Sequence, residues 1–176
     1  MATFSRETVE LERVPSSRRE ELAAELSRYL TELDGLAPTG QGRLARTAAD
    51  YHYFDTYWHE PERLPLFVLA EGELAGFALV RAIAGGWNIA EFGIRPELRR
   101  KGVGQAAVAA LADLARQSES DYLTAEVQSW NSSAGLFWSA CGFERVGEAA
   151  DVIELVCQLR PIDLIEERHR KPSVSW

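Results

Sequence analysis

The sequence predicts a mixed α+β fold, one mostly antiparallel sheet flanked by helices. Three observations carry that reading. Hydrophobic residues make up 46% and charged residues 26% of a 176-residue chain, the balance of one globular unit with a sizeable core. Strand-like and helix-like segments follow one another as β-α-α-β-β-β-α-β-α-β-β, which is not the strict alternation of a doubly wound parallel sheet. A cationic glycine turn, Arg99-Arg100-Lys101-Gly102-Val103-Gly104, joins an apolar run to an alanine-rich segment of helical period.

Residues 8–13 alternate weakly and read as a first strand. Ser17, with Glu20 three residues on, has the spacing of a capping box and opens a helix to about Leu33, with Leu22, Leu26, Tyr29, Leu30 and Leu33 on one face. Residues 34–42 hold three glycines and a proline and read as a loop. Residues 46–59 read as a second, aromatic-rich helix closed by Pro61 and Pro65. Residues 66–70 and 74–83 are apolar strands joined by Glu71-Gly72-Glu73, a hairpin. Residues 87–94 form the next strand, and Pro96 ends it. A helix over 103–117, a strand over 122–128 and a short helix over 131–140 follow. Residues 143–147 and 152–159 give a last antiparallel pair. Residues 161–176 are charged and contain Pro172. The expected organisation is therefore a domain over 1–160 and a tail or docked arm over 161–176.

Net charge is −8, from 27 acidic and 19 basic residues. That disfavours a nucleic-acid partner, which needs a basic surface, and suits a cationic substrate such as an amine. No apolar run is long enough to span a membrane, and the opening residues lack a signal region, so the expected location is cytoplasmic. Cys141 and Cys157 form no CxxC pair and read as buried thiols.

A strand, a cationic glycine loop and a helix start together are a device for holding phosphate, though a basic glycine turn is as often a plain solvated connection. Glycines let backbone amides converge and a ligand come close, and the helix start adds its positive dipole end. The loop lacks the Gly-Lys-Ser/Thr ending of a P-loop.

The order and the loop together resemble the GNAT superfamily of acetyl-CoA-dependent N-acetyltransferases. Arg99, Gly102 and Gly104 match that family's Arg/Gln-x-x-Gly-x-Gly/Ala signature. Residues 90–96 look like its fourth strand, whose bulge splays the sheet. Glu126, Asn131, Ala134, Phe137, Trp138 and Gly142-Phe143 look like its fifth strand, its Asn-x-x-Ala helix and the entry to its sixth strand. The resemblance covers roughly residues 6–159. It implies acetyl-CoA as co-substrate and no metal. Backbone of Phe92, Gly93 and Ile94 would pair with the pantetheine arm. Arg99, Arg100, Lys101, Gly102, Val103 and Gly104 would hold the pyrophosphate, and Asn131 would bond the pantetheine near the thioester.

Amide formation from a thioester needs a base for the amine, a donor for the thioester oxygen and a tolerable thiolate leaving group. The resemblance places the oxygen donor in the backbone at the fourth-strand bulge, near Ile94. It offers two bases, Glu126 on the fifth strand, slightly favoured, and Glu91 on the fourth. Where many members have a tyrosine acid this chain has Trp138, whose indole is a donor without usable acidity. Trp138 therefore reads as a wall beside the thioester. Tyr122, Ser139 and Cys141 remain as substitutes for the acid, with nothing in the spacing to choose among them.

On a helix, Tyr51, Phe54 and Trp58 would share one face and His52, Asp55 and His59 another. Two histidines without a third ligand do not make a metal site. By the resemblance, residues 34–42 and this aromatic segment shape the pocket of an amine acceptor, a small molecule before a protein. Two other readings of the whole chain stay open: a degenerate member that binds acyl-CoA as a sensor or scaffold, and a transferase of a longer acyl group.

Overall fold

The computed structural model describes residues 4–40 and 47–160. The arm expected at 161–176 and the first residue of the expected second helix lie outside the described residues. The strands are β1 (Val9–Arg13), β2 (Arg63–Ala70), β3 (Glu73–Ile83), β4 (Gly86–Ile94), β5 (Tyr122–Gln128), β6 (Glu144–Ala149) and β7 (Val152–Gln158). The helices are α1 (Arg19–Leu36), α2 (Val103–Gln117) and α3 (Ser132–Ala140). They form one sheet in the order β1-β2-β3-β4-β5-β7-β6. Every pairing is antiparallel except β4 with β5, which is parallel, and α2 makes the crossover that a parallel pair requires.

Alternation along β2 and β3 splits the core in two. Phe67, Phe77 and Leu79 face α1, which buries Leu22, Leu26 and Leu30 against them. Each such leucine contributes about 1.5–3 kcal/mol. Leu66, Ala78, Val80 and Ile89 face the other side, toward α2, together with Leu123, Ala125 and Val127 of β5. The α2 contact face carries Ala107, Ala110, Leu111 and Ala115, whose small side chains let the helix lie close to the sheet. The α2-side core thus spans both halves of the sheet, whereas the α1-side core covers β2 and β3.

Several expectations are corrected. The predicted helix over 46–59 is, where described, a run of turns ending in a single 3-10 turn, Asp55–Trp58. Tyr, His, Asp, Thr and Phe are mediocre helix formers, and here the aromatics find partners without a helix. Phe54 meets Trp58 edge-on at 5.1 Å, and the Trp58 indole donates to the Val14 carbonyl at 3.0 Å. Pro65 does not end a helix but lies inside β2. Its carbonyl accepts from Val14 just beyond the last β1–β2 pair, Arg13↔Leu66, so no ladder donor is lost. Ser17 does not cap α1. It lies in a 3-10 turn, Ser16–Arg18, and the helix runs on through Gly35 to Leu36. Cys141 and Cys157 are only partly buried. Among the described residues no helix is long and apolar enough to cross a membrane.

Candidate active site

The site grows from one irregularity in β4. Leu79 pairs with Glu91 but Val80 pairs with Ile89, so Ala90 is an extra residue, a β-bulge. Beyond it β4 leaves β5. The two strands are in register only over four pairs, Gly86↔Tyr122 to Ile89↔Ala125. Gly86 is needed at the start of that seam, because a Cβ there would lie 2.6 Å from the Tyr122 carbonyl oxygen. The bulge was expected near Ile94; it falls four residues earlier, where the register slips.

Past the seam the two arms form a fork. The Arg95 amide donates to Ala75 at 2.8 Å, so Arg95 and Gly93 turn their backbone groups toward β3. By alternation, Phe92 and Ile94 turn theirs into the fork. The Ile94 carbonyl accepts from Arg99 Nε at 2.8 Å.

Both candidate bases stand at the mouth of the fork, on the α1 side of the sheet. Residues opposite each other in register share a face. Leu79↔Glu91 and Arg81↔Asn88 therefore put Glu91 and Asn88 on the α1 face. Asn88↔Thr124 puts Thr124 there, and alternation adds Glu126. Asn88 Nδ2 donates to Thr124 Oγ1 at 3.0 Å, a side-chain bridge across the seam. Glu91 is 4% exposed, while Glu126 is exposed and sits opposite Glu154 of β7.

The glycine loop leads from this fork to α2. Arg100 has φ +61° and Gly102 φ +88°, so the chain makes two left-handed steps before the helix begins. Gly102 occupies the N-cap position, and the first-turn amides beyond it have no intrahelical acceptor. The Lys101 carbonyl is tied back by the Phe4 amide at 2.8 Å. Gly104 has a packing reason of its own: a Cβ there would lie 2.9 Å from the Phe137 ring. Asn131 is the N-cap of α3, its Oδ1 accepting from the Ala134 amide at 3.1 Å.

Trp138 is placed inside the core. It is 6% exposed, with ring centroids 4.9 Å from Phe143, 5.1 Å from Phe137 and 5.6 Å from Phe92. Phe92 and Phe137 stand with it, stacked at 5.6 Å.

Sequence reasoning did not find the acids of α1 that hold this region. Glu25 accepts from Arg95 Nη2 at 2.5 Å and also pairs with Arg28. Glu32 grips Arg99 with both oxygens, one at 2.7 Å from Nη2. Burial pushes the Glu25 carboxyl up, but the hydrogen bonds and charges of Arg95 and Arg28 outweigh it, leaving it below its ordinary value. The Arg99 guanidinium likewise holds Glu32 down. Two acids seven residues apart, beside the leucine stripe, were the available signal.

The sequence profile of the Acetyltransferase (GNAT) family matches residues 20–143. The chain belongs to the GNAT acetyltransferase family. No curated protein matches it. Solved structures share the GNAT fold at low identity. The spermidine N-acetyltransferase of Vibrio cholerae, solved with CoA and spermine, is 14% identical with a TM-score of 0.66, over 87% of this chain and 96% of that one. The PaiA N-acetyltransferase of Thermoplasma acidophilum, solved with coenzyme A, is 14% identical with a TM-score of 0.63, over 85% and 98%. The ribosomal-protein-S18-alanine N-acetyltransferase of Escherichia coli is 16% identical with a TM-score of 0.60, over 86% and 94%.

Proposed function

We propose that this GNAT chain is an N-acetyltransferase that moves an acetyl group from acetyl-CoA to an amine by direct attack in a ternary complex. The observation that carries the reading is the fork, an open strand edge running from two carboxylates to the left-handed glycine start of α2. An open edge suits the amides of a pantetheine arm, and the helix start suits its pyrophosphate. Two similar folds were solved with coenzyme A.

In this reading the backbone of Phe92 and Ile94 pairs with the arm. The amides from Gly102 to Gly104, with Arg100 and Lys101, hold the pyrophosphate. Arg99 acts as a strut, because Glu32 and the Ile94 carbonyl already occupy its nitrogens. Asn131 still carries its two amide donors while its oxygen caps α3. With the bulge at Ala90, the Phe92 amide is the backbone donor nearest the mouth of the fork for the thioester oxygen. Exposed Glu126 meets the incoming ammonium. Glu91, held between strands, takes the amine proton, directly or through water. Coenzyme A leaves as the thiolate, since the buried Trp138 supplies no acid.

The test is thiol release from acetyl-CoA against a panel of small amines and peptide N-termini, with calorimetry of acetyl-CoA binding alongside. Transfer to at least one amine, lost in Glu91→Gln, supports the reading. Tight acetyl-CoA binding with no transfer replaces it with the sensor. Faster release from longer acyl-CoA thioesters reassigns the donor.

A further inference from the structure

Ion pairing singles out one cation of the glycine loop. Arg99 is bound from two sides. Its Nε donates to the Ile94 carbonyl at 2.8 Å, and Glu32 of α1 takes Nη1 and Nη2 together, Nη2 at 2.7 Å. Arg100 and Lys101 show no ion pair among the described residues. Glu32 thus cancels the charge of Arg99 and sets a carboxylate beside the loop proposed to hold an anion. Attraction of phosphate would be served better without that acid. The pair is also a weak fastener. Its side chains are 39% and 35% exposed, and ion pairs this wet add little to stability.

Geometry gives the pair a purpose. Ile94 ends β4, and Arg99 opens the glycine turn. Glu25, Tyr29 and Glu32 lie at i, i+4 and i+7, on one face of α1. Glu25 holds Arg95 at 2.5 Å, and Glu32 holds Arg99. Between them the Tyr29 ring lies so close to β4 that a Cβ on Gly93 would stand 3.1 Å from it. The helix is laid along the whole stretch from Gly93 to Arg99. We propose that Glu32 is a positioning residue for acetyl-CoA: through Arg99 it fixes the Ile94 carbonyl and the start of the glycine loop relative to each other. The strand edge and the helix-start amides then meet the arm and the pyrophosphate of one ligand without rearranging. The inference rests on the co-substrate assigned in the acetyltransferase reading above. Order already present in the empty protein adds affinity without adding a contact. The Arg99 hydrogen bonds hold the Glu32 carboxyl below its ordinary value, so the clamp is charged on both sides at neutral pH.

The experiment is calorimetry of acetyl-CoA and of CoA on the full chain carrying Glu32→Gln, Arg99→Gln or both. It is run at about 0.1 M and about 1 M salt, with melts and steady-state thiol release alongside. By charge alone, removing an acid beside an anion site tightens the anion. Positioning predicts the opposite sign. Glu32→Gln should weaken acetyl-CoA and CoA equally, by about fivefold or more and at both salts. Its Tm should stay within about 4 °C of wild type. Acceptor KM, and kcat at saturating acetyl-CoA, should hold. The double variant should bind no more weakly than Arg99→Gln alone, because both changes break one clamp. Unchanged or tighter binding in Glu32→Gln, a loss that vanishes at high salt, additive losses in the double variant, or a Glu32→Gln chain that fails to fold would each overturn the inference while leaving the transferase reading standing. A wild type that binds acetyl-CoA but transfers to no amine overturns the transferase reading alone, and one that binds no acetyl-CoA overturns both.

Discussion

Replacing Glu25 by glutamine tests whether α1 is tied electrostatically to the end of β4. The Glu25 side chain is 7% exposed, and its partners Arg95 and Arg28 are 28% and 48% exposed. Removing one partner of a fully buried pair costs about 3–5 kcal/mol, whereas exposed pairs are worth about 0–1. Here the acid is buried and the bases are wetted, so a loss of about 2 kcal/mol is expected. For a chain of this size each kcal/mol moves Tm by about 2–4 °C, giving a drop of about 4–8 °C at pH 7. The pH dependence carries a sign. Because the folded carboxyl sits below its unfolded value, near ~4.3, its contribution is complete above that value. It is lost as pH falls through the folded value. The gap between wild type and variant, read by calorimetric melts from pH 8 to pH 3, should therefore close at the acid end. A gap under about 1 °C at neutral pH, or one of constant size down to the acid limit, would refute the reasoning.

Gly102→Asp puts a side chain at φ +88° and a negative charge at the α2 start. It should cost about 1–2 kcal/mol of stability and weaken acetyl-CoA binding by at least about tenfold, read by calorimetry on the folded variant. Trp138→Phe should cost about 2 kcal/mol in a denaturant melt and keep most thiol-release activity, since the indole is a packing element. Collapse of activity with binding intact would make the indole N–H part of the chemistry. Gly86→Val should break the β4–β5 seam against the Tyr122 carbonyl, abolishing cooperative melting or lowering Tm by about 10 °C.

What was legible in the sequence was what short-range chemistry dictates. The α2 start could be read because only glycine takes its left-handed step cheaply, and its alanines because they repeat at helical spacing. The β3–β4 meander could be read from alternation and its turns. The segment around Tyr57 was misread because aromatics spaced for a helix face serve equally well in consecutive turns when β2 and α1 lie beneath them. Ser17 showed a capping spacing, but the preceding Pro15 and the 3-10 turn set where α1 begins. The Glu25 and Glu32 ties were invisible for another reason. Their partners are 70 and 67 residues away, and nothing local marks an ion pair of that range. The register slip at Ala90 is likewise a property of two strands together, so its position could be read only once β3 was beside β4.

The seam of four residue pairs has a consequence for how the molecule comes apart. The stretch from β5 through β7 is contiguous in sequence and internally antiparallel. It meets the rest of the sheet through those pairs, through a few hydrogen bonds beside them such as Asn88 to Thr124 and Tyr122 to the Ala84 carbonyl, and through the α2-side core. Contacts that close across a long crossover form late in folding and open first in local fluctuations. The seam should therefore exchange its amide hydrogens ahead of the β2–β4 meander. A thioester ligand lying in the fork would touch both arms at once, and a ligand at about 100 times its Kd adds about 2.7 kcal/mol to the state that binds it. The co-substrate would then complete the weakest joint of the fold each time it binds, and each turnover would briefly return that joint to its looser condition.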